Sequence, residues 1–367
     1  MLRPRRRGLA AGGFVALALG ACAVALLAAV PAGDPLAAEI SRWSGWLRDN
    51  NSTDENWTQV KQAVEPALAR ASKALQEGHR SLALLRFAGA RANLAASKYV
   101  QGRPAAERTD IAKFEVEWAR MGRVLAADMK QPSYRALEGV RPAVVRAIGE
   151  AAVPQVKILY DASADYARAT GAESGLFYIG NAAAQREFIA FCRSLSARAS
   201  AQKTPPLRSL SEDLDALETE LLAEYRPPAA IDRHSEFIAA SATLKEAREL
   251  DAAGLRYGAL LRYLMAAQRL GPLRATPTGP ADDAALTASI AAFDARLAAA
   301  GDDESIGHLF VESAQSDLAE PQGKRATARA TVAEVFPRYL AALGPSRAPA
   351  RREEPRVTVT LVRWPYT

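Results

Sequence analysis

The chain predicts an all-α fold, an α-solenoid-like array of helical hairpins. Three observations predict it. From about Asp54 to Leu343 the apolar residues recur at spacings of three and four, not two. Pro and Gly cut this stretch into pieces of helical length. The chain is also rich in Ala, the best helix former. Its 367 residues suffice for one large domain or two ordinary ones. Two Cys exclude a disulfide-built mini-domain and a four-Cys zinc site.

The spacing predicts helices over 55–77, 79–100, 104–128, 132–150, 154–170, 174–199, 207–226, 229–252, 255–271, 280–300, 303–319 and 325–343. Pro104, Pro132 and Pro154 stand where a first turn tolerates proline. Pro66 and Pro142 fall inside predicted helices and predict kinks or breaks. Gly171 and Gly301 mark helix ends, and Ser211 with Glu212 and Asp213 reads as an N-cap with an acidic first turn. The predicted organisation is a targeting segment over 1–37, a juxtamembrane segment over 38–53, helical-hairpin regions over 54–228 and 229–343, and a linker with a strand tail over 344–367.

The first residues suggest a compartment. Arg3, Arg5, Arg6 and Arg7 precede an uncharged run from Gly8 to Val30. As a helix that run spans about 34 Å, enough for a bilayer core of about 30 Å. The arginines would hold the N-terminus in the cytoplasm and place the rest beyond the membrane. Length favours an uncleaved anchor. Modest hydrophobicity and the small-residue pattern Val30-Pro31-Ala32 favour a signal cleaved near Ala32. Leu19-Gly20-Ala21-Cys22 resembles a bacterial lipobox and would make Cys22 a lipidated terminus, although eight apolar residues follow it. Asn51-Ser52-Thr53 and Asn56-Trp57-Thr58 fit the glycosylation sequon.

Lys plus Arg number 47 against 41 Asp plus Glu, a net charge of +6. Residues 1–37 hold four Arg and one Asp, so half of the excess belongs to the targeting segment. The remaining +3 is too mild to argue for nucleic acid.

An internal repeat is visible. Gly78–Leu94 reads GHRSLALLRFAGARANL and Gly254–Leu270 reads GLRYGALLRYLMAAQRL. At an offset of 176, nine positions agree or nearly agree, among them Gly78/Gly254, Ala83/Ala259, Phe87/Tyr263 and Ala90/Ala266. Ala83, Phe87 and Ala90 share a helix face, two small residues with a ring between them. This pattern resembles the tetratricopeptide repeat, which places a turn Gly, a small residue five later, an aromatic four later and an Ala three later. Ala71 and Ala247 fill the small position seven before each Gly. The family's closing Pro is absent after the first copy, and no period of about 34 residues runs through the chain. The resemblance implies an α-solenoid that binds proteins on its concave face.

Chemistry-bearing motifs are few. No HExxH pair, GxSxG elbow, Walker loop, GxGxxG or CxxC occurs, so no cofactor or metal is indicated. His79, His234 and His308 read as surface or turn residues, and Cys192, among Phe188, Ile189, Phe191 and Leu195, as a buried thiol. Glu173-Ser174 and Glu304-Ser305 resemble the Glu-Ser pair of lytic transglycosylases without that family's glycine-rich motif. Arg80, Arg86, Arg256 and Arg262 recur in both copies. They would either grip a partner's carboxylates or bridge to acidic neighbours while covering apolar surface.

Gly344–Pro355 reads as a linker, and Arg356–Arg363 as a strand in which Val357, Val359 and Leu361 alternate with Thr358, Thr360 and Val362, followed by Trp364. A lone strand leaves its backbone unpaired. It would add to a partner's sheet edge through Val357, Val359, Leu361 and Trp364, or remain a tail on its own helices. The expected function is a membrane-anchored extracytoplasmic scaffold or accessory subunit that binds protein partners of the cell envelope without catalysis. The alternatives are a cell-wall-acting or metal-dependent hydrolase assembled from distant helices, and a structural spacer.

Overall fold

Gly78 takes φ 85° and Gly254 takes φ 78°, a backbone conformation that side chains with a Cβ rarely adopt. Both close a helix in the same way. His79 N–H donates to Ala74 and Gly78 N–H to Leu75; Leu255 N–H donates to Leu250 and Gly254 N–H to Asp251. These paired bonds satisfy the last carbonyls of one helix and start the next. They join α2 (Glu55–Gln76) to α3 (Arg80–Gln101), and α9 (His234–Ala252) to α10 (Arg256–Leu273).

The computed structural model describes residues 33–53, 55–130, 137–196, 207–227, 231–274, 279–280, 282–300, 305–320 and 324–344. Among these the structure is all-helical, with no strand. The remaining helices are α1 (Pro35–Asp49), α4 (Ala105–Arg108), α5 (Ile111–Lys130), α6 (Ala143–Thr170), α7 (Ala172–Ser194), α8 (Ser211–Glu224), α11 (Asp283–Ala299), α12 (Ile306–Ala319), α13 (Arg325–Ala330) and α14 (Phe336–Leu343). A π-helical turn, Thr331–Val335, joins α13 to α14. No helix among the described residues is long and apolar enough to cross a membrane. The segment 8–30, Cys22 and the tail residues Val357, Val359, Leu361 and Trp364 lie outside the described residues.

Four local expectations need correction. Pro154 opens no helix: α6 runs unbroken through it. Its missing N–H removes one internal bond, and burial of Val153 and Val156 on either side holds the helix together. Helix α2 likewise continues through Pro66. Ser211 is the first helical residue of α8 and not its cap, because Asp251 reaches across to accept Leu210 N–H at 3.1 Å. The helix predicted over 104–128 is two, since Asp110 accepts Ala112 N–H at 2.8 Å and starts α5 afresh.

The burial pattern repeats among the described residues. In α2, Val64, Leu68, Ala71 and Ala74 are buried; in α9, Ala240, Leu244, Ala247 and Leu250 are buried, each 176 residues later. Ala83, Phe87 and Ala90 of α3 and Ala259, Tyr263 and Ala266 of α10 keep that offset, and all six are buried. Leu36, Ile40, Trp43 and Leu47 of α1 match Leu210, Leu214, Leu217 and Leu221 at 174. Phe114, Met121 and Leu125 of α5 match Leu286, Phe293 and Leu297 of α11 at 172. Val144, Ala147, Ile148 and Glu150 of α6 match Ile306, Leu309, Phe310 and Glu312 of α12 at 162. The packing agrees: α3 lies against α7 in the first series, and α10 against α13 and the π turn in the second. Two equivalent series of helices, α1–α7 and α8–α14, therefore build one core.

Candidate functional site

The two series meet along α3, α6 and α10. Where they meet, small residues leave a groove. Ala88, Gly89 and Ala92 of α3 face Ala151 and Ala152 of α6, with Leu261 and Met265 of α10 closing the far side. The space is about 450 Å³, within the range of ligand pockets. Its polar groups are mainly primary amides: Asn93, Gln155, Asn181 and Gln185. Gln185 Nε2 donates to Asn181 Oδ1 at 3.3 Å. An amide side chain offers both donors and an acceptor, the complement of a peptide bond.

Arg262 is the predicted site residue that reaches this groove. Its Nε lies 3.0 Å from Glu246 Oε2, and the groove thus carries one cation and one carboxylate, already paired. Arg86, its equivalent in α3, does otherwise: Nη2 donates to Ser316 Oγ of α12 at 3.0 Å. The α6 position matching Ser316, 162 residues earlier, is Pro154, which has no hydroxyl to offer. Arg80 and Arg256 also remain within the chain. Arg80 Nη2 donates to Asp34 Oδ1 at 2.7 Å, and Asp34 caps α1. Arg256 Nε lies 3.4 Å from Asp251, which holds the start of α8. Each clamps the carboxylate that begins the first helix of its own series.

Two charged features escaped the sequence reading. Glu150, fully buried in α6, accepts Gly258 N–H at 2.9 Å and Arg146 Nε at 2.6 Å. Glu312, in α12, accepts Leu82 N–H at 2.6 Å, and His308 Nε2 lies 3.6 Å from its other oxygen. His308 Nδ1 is in turn 3.1 Å from Asp294. Burial raises both carboxyls, Glu312 to about 7, and the backbone N–H bonds oppose the rise. The carboxylates of Glu150 and Glu312 line neither described cavity and are used as helix caps. Among the described residues no cluster of three or more His, Cys, Asp and Glu is placed to hold a metal.

Cys192 is fully buried, and burial pushes its thiol up to about 12. Glu173 and Ser174 stand in the first turns of α7, beside a second cavity. No family model, curated protein or solved structure matches the chain.

Proposed function

We propose that this chain is a non-catalytic, membrane-anchored scaffold of the cell envelope, and that its inter-series groove holds an extended segment of a protein partner. The groove carries the proposal: small residues open it and primary amides line it. Arg262, paired with Glu246, supplies a charged rim for a partner's side chain. The apolar segment 8–30 behind four arginines supports the anchor, with everything after it beyond the membrane. The hairpin pattern around Gly78 and Gly254 supports a tetratricopeptide-like mode of binding. The tail, through Val357, Val359, Leu361 and Trp364, is the second proposed contact.

The hydrolase alternative has one observation in its favour, the line Asp294–His308–Glu312. That line ends on the N-terminus of α3 instead of opening on a described cavity, which favours binding. The test is quantitative co-purification from detergent-extracted envelopes, comparing the wild type with Arg262→Glu and with a chain lacking residues 350–367. Loss of the same partner from either variant is the expected result. An unchanged partner set from both removes the scaffold reading.

A further inference from the structure

A second cavity, of about 320 Å³, lies entirely within the first series, where the start of α2, the end of α3 and the α6–α7 turn converge. Its wall is aromatic. Tyr166 and Tyr178 stack with ring centroids 4.0 Å apart, Phe177 meets Tyr178 edge-on at 6.1 Å, and Trp57 lines the α2 side. Glu173 lines the same space from the first turn of α7. No ion pair or hydrogen bond engages its side chain among the described residues. Arg108 also lines the cavity, and its Nε is engaged with the carbonyl of Arg103 at 3.0 Å.

The second series changes this place on the hairpin side: 176 residues after Trp57 stands Arg233, and 176 after Val60 stands Glu236. Arg233 Nη1 donates to the Leu273 carbonyl at 2.5 Å. The hairpin itself therefore does not require the Trp57 ring. A ring face attracts a cation, and more strongly when water is excluded. Several rings and an unengaged carboxylate in one cavity suit positive charge on an apolar body, although Arg108 brings one cation to the same wall.

We propose that this cavity binds an organic ammonium group carried on an apolar body, with Glu173 as counter-ion and Tyr166, Phe177 and Tyr178 as the aromatic wall. The site is separate from the inter-series groove, so either proposal stands if the other fails. The test is isothermal titration calorimetry of the full chain at neutral pH. The probes are 2-phenylethylammonium, neutral 2-phenylethanol, anionic phenylacetate, and N-acetyl-lysine N-methylamide. The ammonium should bind about tenfold or more tighter than the alcohol, with no heat from phenylacetate. Glu173→Gln should weaken the ammonium about tenfold and leave the alcohol unchanged, while Tyr178→Ala weakens both. Tighter binding of the lysine amide than of the free amine assigns the site to a protein side chain, and the reverse to a free amine; either supports the proposal. Equal affinity for ammonium and alcohol, silence with both cations, or indifference to Glu173→Gln overturns it.

Discussion

Glu312 accepts the backbone N–H of Leu82 at 2.6 Å, across 230 residues of chain. Glu150 does the same for Gly258 at 2.9 Å, across 108 residues. Leu82 and Gly258 are equivalent third residues of α3 and α10, and neither helix has a side-chain cap of its own. Glu150 and Glu312 are likewise equivalent, in α6 and α12. Each series thus caps a helix of the other. This reciprocity is what a two-fold relationship between the series requires, and it ties them together with groups that are costly to leave unpaired.

Removing either carboxylate should leave a buried N–H without an acceptor. Glu312→Ala and Glu150→Ala are each expected to cost about 1–3 kcal/mol, while the Gln variants retain an acceptor and lose less. Urea unfolding followed by circular dichroism measures this. A loss below about 0.5 kcal/mol in both Ala variants would show that the caps are incidental.

A pH dependence follows from the same region. Burial raises Glu312 to about 7 and Asp317 to about 6, against unfolded values of 4.5 and 3.8. A carboxyl raised in the folded state holds its proton more tightly there than in the unfolded chain. Its contribution to stability is full below the unfolded value and is lost as pH climbs through the folded one. Glu117 acts oppositely: the Arg120 hydrogen bond holds it down to about 2, so its contribution is present above 4.5 and lost as pH falls. Melting temperature should therefore peak between these limbs and decline toward neutrality. Glu312→Gln should flatten the decline, with Asp317 supplying the remainder, and an equal slope in both proteins refutes the assignment. His308 and Asp294 adjoin Glu312, and His308→Gln in the same background separates their share.

Gly258 is expected to resist replacement by Ala although it lies inside a helix. Helix propensity alone would favour Ala by about 1 kcal/mol. A Cβ there would stand 2.9 Å from Glu150 Cβ and 3.0 Å from the Ala151 backbone N, and backbone does not yield cheaply. Overpacking of this kind costs about 1–3 kcal/mol, so the net effect should be destabilising. Thermal melting of Gly258→Ala decides, and a raised melting temperature would contradict the close α6–α10 approach.

Cys192 should be silent to thiol reagents in the folded protein. It is fully buried, and its thiol is pushed up to about 12. In a Cys22→Ser background, labelling with a water-soluble disulfide reagent should appear only under denaturing conditions. Rapid native labelling would show that α7 opens locally.

Much of the fold was legible because helical periodicity and a positive-φ glycine are local signals, as at Gly78 and Gly254. The wider equivalence of the two series was not. Buried positions are retained while identities change: Trp43 answers Leu217, and Phe114 answers Leu286. The offset also drifts from 176 in the hairpins to 162 at Glu150 and Glu312 as intervening segments shorten. The reciprocal caps were hidden because each carboxylate and its N–H lie over a hundred residues apart. Arg262 was visible as a repeated arginine, but the groove beside it depends on Ala151 and Ala152, which fall between the helices that the local pattern ends at 150 and reopens at Pro154.

The groove between the series is proposed to hold a partner's chain. Site-specific photo-crosslinking tests it most directly, with the crosslinking residue placed at Asn93 in the groove and, as a control, at exposed Val116 on α5. A discrete adduct with an envelope protein from Asn93, absent from Val116 and abolished by Arg262→Glu, is the predicted result. No adduct from Asn93, or the same adducts from both positions, would contradict the account.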